Sequence, residues 1–321
     1  MVAEKPDKDI YQRTIRRPIS FVGVGLHSGR MVSMVARPGR VNSGIHFLRK
    51  DAPAGEGIVP ARWYDVIATD MSTTLGNEYG YVVGTAEHLL AALRGCGIDN
   101  AIIELDGPEV PVMDGSSAPF AAMIEQVGTI TQTALRRFIV VKRPIRVADG
   151  DKFAILTPDD RSRLTVEIDF PGTAVGYQRL SLEIDPEVFA RQLAHARTFG
   201  FAEQVAGLRE RGLALGGSTR NAILVDREQV VNEEGLRFRD EFVRHKMLDA
   251  LGDLSLAGVP VLGHYYAYKP GHRLNAALLR EMFAAREAWQ YATFPPKQEA
   301  PADAVGGTGE LGLEAGRAAA D

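Results

Sequence analysis

Apolar residues along the chain fall into short clusters between turn residues and into longer runs with helical spacing. The clusters predict strands over residues 12–22, Met31–Ala36, Ala101–Leu105, Phe138–Val147, Phe153–Thr157, Leu164–Phe170, Leu180–Ile184 and Val259–Tyr268. Gly23-Val24-Gly25-Leu26-His27-Ser28-Gly29 joins the first two. It reads as a hairpin turn needing positive φ, because a lone GxG is a weak sign of a phosphate loop. Residues 44–69 give shorter pieces, broken by Pro53, Gly55, Gly57 and Pro60.

Helical spacing appears in five places. Gly84–Gly95 predicts a short helix with Thr85 as its N-cap, Gly95 as its stop, and Leu89, Leu90 and Leu93 as its buried stripe. A second helix follows Met113-Asp114-Gly115-Ser116, with Pro119 in its first turn, and runs to about Val127. Pro186–Ala194 and Leu274–Trp289 are two more. The fifth, Phe242–Leu254, buries Val243, Met247, Ala250, Leu251 and Leu254 on one stripe. His245, Asp249 and Asp253 stack four residues apart on the side opposite. Taken alone, that side reads as a solvated polar face. Phe242 and Gly252 argue against it, since a solvated face needs neither an aromatic nor an interior glycine costing about 1 kcal/mol.

The order helix, strand, turn, helix closes both halves, which implies an architectural duplication. The fold class is therefore α+β: two units, each a sheet backed by helices. The divisions are an N-terminal extension (1–11), a first unit (12–130), a linker (131–136), a second unit (137–292) and a tail (293–321). Residues 197–226 have no counterpart in the first unit. Leu208, Leu213, Leu215, Ile223, Leu224 and Val225 give this insertion enough apolar surface to wrap an apolar ligand, or to form a local core. The tail is Ala-, Gly- and Glu-rich and is expected to be disordered, with docking of a protease or adaptor as one role for it.

Composition narrows the function. The 321 residues are 45% hydrophobic, with a formal net charge of −4 and scattered basic residues, so nucleic acid is not an expected partner. No apolar run reaches membrane-span length and the N-terminus carries no apolar signal region, so a cytoplasmic location is expected. Cys96 is the single cysteine, which rules out a thiolate-rich zinc site. Any metal would need His and carboxylate ligands.

Candidates for those ligands exist. An imidazole and a carboxylate one helical turn apart, as in His245 and Asp249, can chelate a divalent cation. His88 lies in a first helical turn, where the dipole disfavours imidazolium and leaves a neutral ligand. Glu87 beside it is either an ordinary first-turn carboxylate or a base for a coordinated water. Lys246 and His272 are available to stabilise an oxyanion and to protonate a leaving group. Spacing alone does not bring residues 88 and 245 together.

Four motifs do so by resemblance. Gly84-Thr85-Ala86-Glu87-His88-Leu89, Val112-Met113-Asp114-Gly115-Ser116, Ala196-Arg197-Thr198-Phe199-Gly200-Phe201 and the run Phe242–Asp253 closely resemble the UDP-3-O-acyl-N-acetylglucosamine deacetylases, zinc amidases of lipid A biosynthesis in Gram-negative bacteria. Gly23–Gly29 and Tyr268-Lys269-Pro270-Gly271-His272 fit the same family, and the resemblance runs from about residue 12 to 290. It implies two α+β sandwiches with the active site between them and one Zn²⁺, or Fe²⁺, held by His88, His245 and Asp249. It implies Glu87 as general base, His272 as the acid oriented by Asp253, and Thr198 and Lys246 at the tetrahedral intermediate. Phe199 falls at the sugar, and Asp169, Phe170 and Lys269 near the uridine diphosphate. The 197–226 insertion becomes the acyl-chain passage. Ser72 stands where many relatives have a cysteine. The competing readings are a non-catalytic nucleotide-sugar or acyl-chain binding protein on the same fold, and a structural protein with solvated histidines. Zinc content together with acetamide hydrolysis separates all three.

Overall fold

The computed structural model describes residues 10–294. The first nine residues and those from 295 onward, which carry nearly all of the expected extension and tail, lie outside the described residues.

The first half contains β1 (Tyr11–Ile15), β2 (Ile19–Val24), β3 (Met31–Pro38), β4 (Ile45–Arg49), β5 (Ile58–Pro60), β6 (Val66–Ala68), β7 (Thr74–Gly76), β8 (Val82–Val83), α1 (Glu87–Gly95), β9 (Ala101–Leu105), α2 (Ala118–Val127) and β10 (Thr129–Leu135). The second half contains β11 (Arg137–Val141), β12 (Ile145–Asp149), β13 (Lys152–Thr157), β14 (Ser162–Phe170), β15 (Gly176–Glu183), α3 (Pro186–Val188) running into a π-helical turn, β16 (Phe199–Phe201), α4 (Ala202–Glu210), β17 (Ile223–Asp226), β18 (Gln229–Val230), α5 (Glu241–Leu254), β19 (Val261–Tyr268), α6 (His272–Ala284) and β20 (Trp289–Thr293).

The duplication is visible in strand order. One sheet runs β2-β3-β9-β4-β5, and the other contains β12-β13-β19-β14-β15. Corresponding pairs agree in direction: β3 and β13 are antiparallel to β9 and β19, whereas β4 and β14 are parallel to them. Helices of the two units pack together, α1 against α5, with α5 also against α6. One continuous apolar core joins the halves.

Several boundaries differ from the periodicity. Residues 12–22 divide into β1 and β2 around Pro18, and 138–147 divide into β11 and β12 around Pro144, because proline lacks the N–H that a ladder needs. Residues 131–136 lie largely in β10, which pairs antiparallel with β1. The last helix begins at His272 and ends at Ala284, after which the chain turns into β20 alongside β11. Thr85 is not an N-cap. It sits at φ 53° and its hydroxyl donates to Glu109 at 2.8 Å. Glu109 also accepts from the backbone N–H groups of His27 and Ser28, tying the glycine-rich turn to the start of α1.

Candidate metal centre

The approach of α1 to α5 builds the site. A Cβ placed on Gly252 would lie 2.1 Å from the Glu87 carbonyl oxygen. Only glycine permits this crossing, which accounts for the otherwise unfavourable residue inside α5. The face expected to be solvated is closed over by neighbouring elements, so His245, Asp249 and Asp253 are all buried. Phe242 is fully buried as well, edge-on to Phe199 with ring centroids 5.0 Å apart.

His88 from α1 meets His245 and Asp249 from α5, with one potential ligand atom from each lying within 4.8 Å of the others. Asp249 Oδ1 is 3.2 Å from His245 Nε2 and 3.5 Å from His88 Nε2. The tautomer of His245 follows from its surroundings. Its Nδ1 lies 3.0 Å from the Ala196 carbonyl, which can only accept, so Nδ1 carries the proton and the Nε2 lone pair faces Asp249. Burial lowers the His245 pKa to about 3, keeping the ring neutral. Burial opposes the Asp249 charge, yet its cationic surroundings, the Lys246 ammonium among them, hold its carboxyl well below the usual carboxylate range. A lone pair thus faces a buried carboxylate oxygen that has no hydrogen-bond partner of its own. Such an arrangement is costly without a cation to share. Two imidazoles and one carboxylate form a donor set suited to zinc, and equally to ferrous iron.

A run of carboxyl and imidazole groups adjoins these three residues. Glu87 is buried, and its Oε2 accepts from the Thr73 backbone N–H at 3.1 Å. Burial raises its pKa above the usual carboxyl value. Its Oε1 lies 3.8 Å from Nε2 of His272, the first residue of α6. His272 Nδ1 donates to Asp253 Oδ2 at 2.9 Å. Burial opposes the imidazolium, but Asp253 and Glu87 outweigh it and raise the pKa to about 9. Asp253 is itself anchored by the Thr73 hydroxyl at 2.6 Å and by Asn275 Nδ2 at 2.8 Å. Lys246 Nζ donates to Asp249 Oδ2 at 2.9 Å and lies 5.8 Å from the centre of the Phe199 ring.

A cavity of about 340 Å³ opens directly on this group. Glu87, His88, His245, Lys246, Asp249 and His272 form its polar end, with Thr198 and Phe199 beside them. Leu26, Val205, Leu208, Ala214, Ile223 and Leu224 form the apolar remainder, mostly from the 197–226 insertion. Phe170 lies outside that lining but touches it through Phe199 and Phe201, at centroid distances of 6.0 and 5.4 Å. Asp169 and Lys269 are a neighbouring pair, 3.6 Å apart. Asp169 accepts from the Tyr268 hydroxyl, and Lys269 also pairs with Asp151. Cys96 takes no part in the site, and burial pushes its thiol up to about 12.

A sequence profile described as LpxC: UDP-3-O-acyl N-acetylglycosamine deacetylase matches residues 12–284. The chain belongs to this family. Its relatives include proteins named UDP-3-O-acyl-N-acetylglucosamine deacetylase from Shewanella piezotolerans (45% identical, covering 91% of this chain and 96% of the relative), Pasteurella multocida (46%, with the same coverage) and Idiomarina loihiensis (47%, 90% and 95%).

Four residues that support this site have no role assigned from the sequence. Thr73 and Asn275 hold Asp253, but each is an ordinary polar residue, Asn275 inside the helix predicted from Leu274. Arg197 and Glu241 form a buried pair at 2.9 Å, and Glu241 also accepts the Arg197 backbone N–H, next to the Ala196 carbonyl that sets the His245 tautomer. Its place in the Ala196–Phe201 motif is the one available hint for Arg197, since an arginine is seldom buried without a partner.

Proposed function

We propose that the chain is a zinc-dependent hydrolase that removes the acetyl group from UDP-3-O-acyl-N-acetylglucosamine, releasing acetate and the free amine, in the cytoplasm, as the committed step of lipid A biosynthesis. The observation carrying this reading is the buried group His88, His245 and Asp249 with Glu87 and His272 beside it, at the polar end of a largely apolar cavity. Family membership supplies the substrate class.

When bound by His88, His245 and Asp249, the ion supplies Lewis acidity towards a water and the amide carbonyl. Glu87, whose raised pKa makes it a stronger base than a surface carboxylate, takes the proton from the attacking water. Lys246 and Thr198 border the place where negative charge develops on the former carbonyl oxygen, and Lys246 contributes a fixed cation. His272 holds its proton on Nε2, because Nδ1 is engaged by Asp253, and delivers it to the departing nitrogen. Asp253, fixed by Thr73 and Asn275, keeps that ring in place. Phe199 offers an aromatic face to the sugar, and Asp169, Phe170 and Lys269 serve the uridine diphosphate.

The apolar arm of the cavity accounts for the acyl requirement. Burial contributes about 0.8 kcal/mol per methylene, so about ten methylenes supply several kcal/mol even after ordering costs. The test is amine release from the UDP-linked acylated substrate, with and without a chelator. Chelator-sensitive release supports the proposal. Absence of release from zinc-replete protein overturns it.

A further inference from the structure

A second cavity, also about 340 Å³, lies away from the metal centre. None of the groups proposed for catalysis lines it. It opens where the last turns of α1 and α5 come together with β14 and β19. Leu164, Leu251, Leu254, Val259, Pro260 and Leu262 make up much of its wall. Its volume is within the range of small-molecule sites.

One wall carries Arg94, from the last turn of α1. Among the described residues its guanidinium has no hydrogen-bond or ion-pair partner. Asp99, the acid whose charge acts on it, is already engaged by the Arg136 side chain at 2.7 Å and by the Arg13 backbone N–H at 2.7 Å. The other charges around the cavity are matched or exposed. Arg161 pairs with Glu183 and Arg163 with Asp159, while Asp160 and Asp185 are exposed to solvent. Arg94 is half-buried, and desolvation of its guanidinium lowers its pKa to about 10, with Asp99 opposing and Arg136 adding to that shift. It remains a cation at neutral pH.

We infer that this cavity is a binding site for a small amphipathic monocarboxylate, its carboxylate paired with Arg94 and its apolar body against the leucine wall. A guanidinium presents its donors in the planar fork that a carboxylate matches. An inorganic anion would satisfy Arg94 but leave the apolar wall wet. A neutral apolar ligand would leave Arg94 unpaired. Only a molecule with both parts answers both surfaces.

The test uses zinc-loaded full-length protein and octanoate as the probe, titrated calorimetrically. The active-site cavity can also take a fatty chain, so variants assign the sites. Leu208→Trp obstructs the active-site cavity, and octanoate binding should persist in it. Adding Arg94→Gln to that background should weaken the remaining binding about ten- to a hundred-fold, as expected for loss of a charge-assisted pair. Arg94→Lys should retain most of it. Leu254→Trp, which fills the second cavity and leaves Arg94 in place, should abolish it, so the conclusion does not depend on the folding of one variant. Octanol and inorganic phosphate should each bind at least about ten-fold more weakly than octanoate. The inference is overturned if Leu208→Trp alone removes all binding, if Arg94→Gln and Leu254→Trp both leave it unchanged, or if phosphate or octanol matches octanoate.

Discussion

Replacing Gly252 with alanine tests how tightly the crossing of α1 and α5 is coupled to the metal centre. The added Cβ would sit 2.1 Å from the Glu87 carbonyl oxygen, 2.8 Å from its carbon and 3.1 Å from its Cα. These are backbone atoms within a buried helix, so no rotamer change relieves the contact. Restoring an ordinary separation of 3.4 Å requires the helices to part by about 1.3 Å. Metal–ligand distances tolerate about 0.2 Å. Because His88 rides on α1 while His245 and Asp249 ride on α5, that displacement spoils the chelate. Alanine gains about 1 kcal/mol of helix propensity, but overpacking costs about 1–3 kcal/mol and the partners cannot yield easily. We expect net destabilisation of about 1–2 kcal/mol and zinc affinity lowered at least about ten-fold. Urea unfolding of the metal-free protein and chelator competition measure the two effects separately. Gly207 in α4 is the control, since a Cβ there would meet nothing within 4 Å. Gly207→Ala should be neutral or mildly stabilising, with zinc affinity intact. If Gly252→Ala binds zinc like the parent and unfolds at no lower urea concentration, the crossing does not control the site.

Further expectations concern individual groups. Glu87→Ala should keep its zinc and lose at least about a hundred-fold in kcat, and near-parent turnover would remove Glu87 from the role of base. The pH dependence of kcat/KM should be bell-shaped. Glu87 must be ionised to take a proton, so the rate falls as pH drops through its raised pKa. His272 must be protonated to donate, so the rate falls as pH rises through about 9. Asp253→Asn removes the largest influence raising the His272 pKa and should move the alkaline limb to lower pH. An unmoved limb would detach Asp253 from His272. Deleting 208–215 should penalise long-acyl substrates most, whereas equal loss across chain lengths would argue against an acyl passage.

How much of this was legible depends on the kind of information each residue carries. The α5 stripe of Val243, Met247, Ala250, Leu251 and Leu254 is a matter of spacing, and all five are buried. Spacing also implied that His245, Asp249 and Asp253 face water, which is incorrect. Periodicity reports which face is apolar, whereas α1 and α6 cover the polar face from elsewhere in the chain. Phe242 and Gly252 were the residues that betrayed this, and each meets a specific neighbour, Phe199 and Glu87. Thr85 misled because a threonine before an apolar run imitates a cap, while its hydroxyl is committed to Glu109, 24 residues away. The end of α6 was placed too late because Trp289 continues the apolar pattern while serving β20 instead. The duplication was readable from element order alone and reappears in matching strand pairings. The pairing of Arg197 with Glu241 spans 44 residues, so local spacing carries no sign of the partner.

The proposed function requires three side chains to share one ion, and zinc stoichiometry measures that directly. Elemental analysis of purified parent protein, after removal of loosely bound metal, should give one zinc per chain. His88→Ala, His245→Ala and Asp249→Ala, each folded by circular dichroism, should all fall well below that value. Full zinc occupancy in any two of the three variants would contradict the assignment.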